Sequence, residues 1–160
     1  MPSPPDWPER QEALDEEEVA RYLELQEDWP ALLETLTGDL EFGLKVVEAD
    51  SVAVLSQWFT AADGGWRTEA DRSGLLGADA FGVAWAYDGI HDIPFAFNGV
   101  PASNRPVTVR GFTLIGSDPS GSGRAQIRRY VDWAGVFGQL GLTLNWRIPV
   151  EPSRAPARVE

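Results

Sequence analysis

Apolar residues recur at helical spacing through roughly the first 60 positions and at strand spacing afterwards. In ALDEEEVARYLELQEDW, Val19, Tyr22, Leu23 and Leu25 fall near one stripe behind an acid-rich turn suited to the positive end of a helix dipole. This predicts a first helix ending near Pro30. ALLETL reads as a short helix or turn stopped by Gly38. From about Leu40 to Ala62 the pattern predicts a longer helix with Leu44, Val47, Val54, Leu55, Trp58 and Phe59 as its buried stripe, closed by DGG.

After Trp66 the period drops to two, with turn residues between short runs, as antiparallel strands require. About four strands are expected. WRTEADRSGLL is the first; DAFGVAWAYDG is the second, with Phe81, Val83, Trp85 and Tyr87 on one face and Ala80, Gly82, Ala84 and Ala86 on the other. RPVTVRGFTLIG is the third, its Gly111 a marker of a bulge or bend. GSDPSGSG is a hairpin loop, and RAQIRRYVD is the fourth strand. Alternation there places Gln126, Arg128, Tyr130 and Asp132 on one face and Ile127, Arg129, Val131 and Trp133 on the other. In WAGVFGQLG, Trp133, Val136, Phe137 and Leu140 form a final helical stripe. The fold class is α+β, with helices packed on one face of a twisted antiparallel sheet.

Length refines this to one domain over residues 11–147, flanked by a proline-rich lead-in (1–10) and a tail (148–160), both expected to be disordered. Hydrophobic residues make up 43% of the chain and tryptophan occurs seven times, enough for a packed core. No apolar run approaches a bilayer span, and MPSPPDWPER lacks a signal pattern, so a cytoplasmic protein without membrane contact is expected. The absence of cysteine removes disulfides, thiolate nucleophiles and the usual zinc and iron–sulfur ligand sets.

The net charge of −12 sits entirely in residues 1–50, where 15 acids face three bases; from residue 51 onward 10 acids balance 10 arginines. With no basic stripe, nucleic acid is not an expected partner. Lys45, the lone lysine, reads as a surface residue. There is no nucleophile elbow, Walker loop or dinucleotide fingerprint after a strand, and one histidine leaves any metal site to carboxylates, so neither cofactor nor metal is expected.

Two polar residues remain as candidate chemistry. Asp132 stands just ahead of the final helix, where it suits an N-cap; a carboxylate in that place facing an apolar pocket would instead gain and lose protons near neutral pH. His91, the only histidine, is either a strand-end loop residue or a carbonyl-polarising and proton-relaying group. Arg128, sharing a face with Asp132, is the expected ion-pair partner of that carboxylate or else points to solvent. Trp58, Trp85, Tyr87, Phe95, Phe97, Tyr130 and Trp133 are the candidate aromatic lining of a substrate pocket, or simply core.

The run WAYDGIHDIPFAFNGVPASNRPVTVRGFTLI resembles the SnoaL-like polyketide cyclase and ester cyclase family, with GIH at Gly89 to His91 where the family has Gly-Thr-His, then a proline loop and Arg-Pro-Val. YVDWAGVFGQLGL is similar to the closing Tyr-x-Asp and Gly-Leu-x-x-Gln-Leu-Gly of that family. The likeness spans roughly residues 66 to 142. It implies the nuclear transport factor two-like fold, a cone of helices and curved sheet around one apolar pocket. It further implies a cofactor-free intramolecular aldol closure of a polyketide-like, hydrophobic carbonyl substrate. By residue match Asp132 would be the general acid and base and His91 a pocket residue. The superfamily also contains isomerases, epoxide hydrolases and non-catalytic binding or assembly modules, and commonly dimerises through the open sheet face, so a homodimer is expected. Thr35 to Phe42 is all this chain offers for the family's pocket-covering segment between helices two and three, which leaves the pocket open or completed by a second chain.

Overall fold

The computed structural model describes residues 14–69, 74–76, 80–96 and 98–142. Three helices precede the sheet, each opened by an aspartate. Asp15 caps α1 (Glu16–Leu25) in a reciprocal box with Glu18, Asp28 caps α2 (Trp29–Gly38), and Asp39 caps α3 (Leu40–Leu55). Each carboxylate accepts a backbone N–H that the first helical turn leaves without a partner. The first helix therefore stops at Leu25, short of Pro30. Pro30 lies in the opening turn of α2, where a missing N–H costs nothing.

The expected helix from Leu40 to Ala62 is too long. Helix α3 ends at Leu55, and Phe59 begins β1 (Phe59–Thr68). Gly64 and Gly65, read as a helix stop, have positive φ (80° and 54°) within the register shift between Ala61 and Trp66, so they form a bulge in the strand. The remaining strands are β2 (Gly74–Leu76), β3 (Ala80–His91), β4 (Pro106–Ser117) and β5 (Ala125–Val131), followed by α4 (Trp133–Gln139). All pairs are antiparallel, in the order β1-β3-β4-β5, with β2 also on β3. The result is a curled half-barrel sheet with the helical layer against its concave side.

Strand parity decides what enters the core. Phe81, Val83, Trp85, Tyr87 and His91 of β3 turn inward and are buried, opposite the inward Val107, Val109, Thr113 and Ile115 of β4. They meet Leu32, Leu36, Phe42, Val46, Val47 and Leu55 from the helices in one apolar cluster. Each such side chain removed from water contributes about 1.5–3 kcal/mol. Trp85 satisfies its indole N–H on Thr113 Oγ1 at 2.8 Å.

Gly111 is not a bulge, because the β3–β4 register runs unbroken from Ala80↔Gly116 to Ile90↔Pro106. Its lack of a side chain makes room for the Trp85 ring, into which a Cβ at this position would run. Gly111→Ala is thus expected to destabilise the fold by about 1–3 kcal/mol through overpacking. Gly138→Ala, in α4 with open space around it, should be neutral or stabilising by up to about 1 kcal/mol. Urea unfolding of the two variants beside the parent chain measures both.

Candidate functional site

The expected site residues divide between the two sides of the sheet. His91, Trp58 and Trp133 come together under the end of the half-barrel, around Phe95, another of the candidate lining aromatics. The His91 ring stacks on Phe95 with centroids 4.1 Å apart, and Trp58, Phe59, Trp133 and Phe137 surround Phe95 edge-on at 5.8–6.3 Å. Helix α4 supplies Trp133 and Phe137, so its apolar stripe closes this end of the core. Trp85 lies in the same core but further along β3, over Gly111. Phe97 lies outside the described residues.

His91 is fully buried, and its hydrogen bonds fix its protonation. The Ser103 backbone N–H can only donate, and it lies 3.3 Å from Nδ1, with Ser103 Oγ at 3.0 Å. Nδ1 is therefore the acceptor, and the neutral ring carries its proton on Nε2. Nε2 is buried without a hydrogen-bond partner. Burial lowers the imidazole's pKa from its ordinary 6.5, against smaller upward pulls from the Ile93 backbone and the Asp92 charge. The Ile93 contribution is an electrostatic bias, since no bond to Nε2 meets hydrogen-bond geometry. The His91 main chain also receives Ser103 N–H and Asn104 N–H on its carbonyl and donates to Arg105 O. His91 is the clamp of the β3–β4 connection, and its basic nitrogen is already taken.

Asp132 does not face an apolar pocket. It is exposed, and its Oδ1 accepts the Gly135 N–H at 2.9 Å, capping α4. Tyr130 shares its parity and is 55% exposed on the convex face. Arg128 does not pair with Asp132 either; its Nε donates to Gln126 at 3.1 Å. The next residue makes the ion pair. Arg129 turns inward and grips Asp50 of α3 through Nε and Nη2 at 2.7 and 2.8 Å, with the Asp50 side chain 1% exposed. Hydrogen bonding to Asp50 raises the Arg129 pKa, and burial together with the Asp50 charge pushes the nearby Tyr22 phenol well above its ordinary value. Both stay protonated. Sequence reasoning passed over Asp50, although a signal existed: it stands three residues after Val47 and four after Val46, on the buried stripe of α3, while Arg129 alternates with Ile127 and Val131.

One open groove of about 270 Å³ lies between the β1 bulge, the β3–β4 ladder and α4, and its polar groups are spent on one another. Asp88 accepts from Thr108 Oγ1 at 2.7 Å and from Arg67, which hold its carboxyl below the usual range. The Gln139 amide accepts from Thr108 N–H at 2.8 Å and donates to Thr108 O at 2.7 Å, completing the β4 ladder beyond the end of β5. None of the expected site residues lines this groove. Among the described residues no cluster of three or more His, Asp or Glu is placed to hold a metal ion, and no helix is long and apolar enough to cross a membrane.

Comparison with known proteins finds no matching family model, curated protein or solved structure. Nothing in these comparisons identifies a SnoaL-like family.

The single histidine gives a clean pH test. Its folded pKa lies below the unfolded one, so the unfolded chain binds more protons as acid is added. The His91 contribution is complete above pH 6.5 and is lost as pH falls from there through the lower folded value. Urea midpoints of the parent chain should drop across that window, and those of His91→Asn should lack this component.

Proposed function

We propose that the chain is a non-catalytic assembly module of the nuclear transport factor two-like type, self-associating through the convex face of its sheet. The observation that carries this reading is one apolar group on that face. Tyr130 stands opposite Phe112 in the β4–β5 register and is 55% exposed, and Phe112 and Leu114 remain partly exposed beside it, while Arg67, Asp88 and Arg110 occupy the same face further along the sheet. Grouped apolar side chains on a sheet face mark an interaction surface. Asp132 supports the same reading, because the carboxylate that a cyclase would need for proton transfer is engaged with its own helix.

A second reading has one observation in its favour. The Nε2–H of His91 is a buried donor without an acceptor, and a carbonyl oxygen of a hydrophobic, polyketide-like compound would satisfy it. This cofactor-free reading requires the aromatic cluster around Phe95 to open and Asp132 to leave its cap.

Sedimentation at high micromolar concentration should give a dimer, and Tyr130→Glu should give a monomer with unchanged circular dichroism. A monomeric parent chain would remove the assembly reading. Incubation with polyketide-like ketones in heavy water should give no deuterium incorporation alpha to the carbonyl. Incorporation that disappears in Asp132→Asn would establish the cyclase-type reading instead.

A further inference from the structure

Two exposed charges of opposite sign bracket Tyr130 on the convex face. Arg128 stands two positions before it and Asp132 two positions after it, so all three side chains leave the strand on one side, each charge about 7 Å from Tyr130 along the chain. Arg128 donates to Gln126 at 3.1 Å and makes no ion pair among the described residues. Asp132 gives Oδ1 to the Gly135 N–H and makes no ion pair among the described residues either. The other charges of this face are matched within the chain. Arg67 pairs with Asp88, and Arg110, whose carbonyl takes the Asp132 N–H, turns its guanidinium to Glu69.

Opposite charges set symmetrically about one residue are complementary to their own copy. A two-fold axis running across the strands at the Tyr130 and Phe112 row reverses strand direction. It lays Tyr130 on the partner's Tyr130 and sets Arg128 over the partner's Asp132, twice by symmetry. Face-to-face sheets lie about 10 Å apart, a gap that a long arginine reaching towards an aspartate bridges. Because the sheet is curled, two convex faces touch only near that row, and both charge pairs fall at the rim of the contact. The other axis, along the strands between β4 and β5, fits less well. It sets Asp132 over the partner's Arg110, already engaged with Glu69, and Arg128 over the partner's apolar Leu114, with no acid to meet it.

We propose that the convex-face dimer is fixed in the antiparallel arrangement by two symmetry-related ion pairs, Arg128 with the partner's Asp132 and Asp132 with the partner's Arg128. This inference rests on the assembly reading and adds to it the residues that choose one orientation of the two copies. The apolar group around Tyr130 supplies the contact. Rim charges contribute little affinity, and their effect is to select the partner and its register. Asp132 then serves twice, with one oxygen on its own helix and the other on the second copy.

The test is a double-mutant cycle on the full chain, with the dimer dissociation constant read by sedimentation equilibrium. Arg128→Gln and Asp132→Asn remove the two charges, and asparagine keeps the helix cap, so circular dichroism should be unchanged. Each should weaken the dimer about two- to tenfold, and the double variant should be no weaker than either alone. Arg128→Glu should weaken it about tenfold or more, and adding Asp132→Asn should return it to the level of the neutral double variant. General repulsion between two chains of net charge −12 predicts the opposite sign for Asp132→Asn, a tighter dimer. That result, losses that multiply in the double variant, no effect of either single variant, or coupling of Asp132→Asn to Arg110→Gln instead would each overturn this inference and leave the assembly reading in place. A parent chain that stays monomeric would overturn both.

Discussion

The Asp50–Arg129 pair decides which way β5 faces. A strand has two sides, and alternation says only that 127, 129 and 131 share one and 126, 128 and 130 the other. Asp50 sits on the buried stripe of α3 at 1% exposure, and a buried charge without a partner is costly. Arg129 meets it with two parallel hydrogen bonds, and so its parity becomes the inside. Replacing such a pair with apolar residues is often neutral for stability, so its value here lies in register and orientation. From this choice it follows that Arg128 and Tyr130 face water and that Asp132 emerges outside, at the place where it caps α4.

Much of the fold is legible in the period of the chain. The two faces of β3, the alternation of β5 and the stripe of α4 follow residue by residue from sequence. The α3–β1 boundary does not, because Val54, Leu55, Trp58 and Phe59 fit a helical stripe while Phe59 also alternates as a strand residue, and DGG serves a bulge as readily as a helix stop. Pro30 was misleading for a similar reason, since proline both ends a helix and opens one. Acids in the N-terminal half look like a solvated face, yet Asp15, Asp28 and Asp39 each hold a specific backbone N–H.

The candidate site was less legible, and parity is again the cause. Tyr130 and Trp85 read alike as aromatic lining for one pocket, but they belong to opposite faces of the sheet. His91, Trp58 and Trp133 do meet, through Phe95, which sequence alone could not distinguish from the other aromatics. The interior they form is a packed cluster with a neutral imidazole fixed by Ser103.

The central claim, that the Asp50–Arg129 pair turns the opposite parity of β5 and Asp132 to solvent, can be read by thiol labelling, since the chain has no cysteine of its own. Single substitutions Tyr130→Cys and Asp132→Cys should react under native conditions at rates near those of the unfolded chain. Thr113→Cys, opposite Arg129 on the inward face, should react only on unfolding. Protection of Asp132→Cys comparable to that of Thr113→Cys would contradict the account.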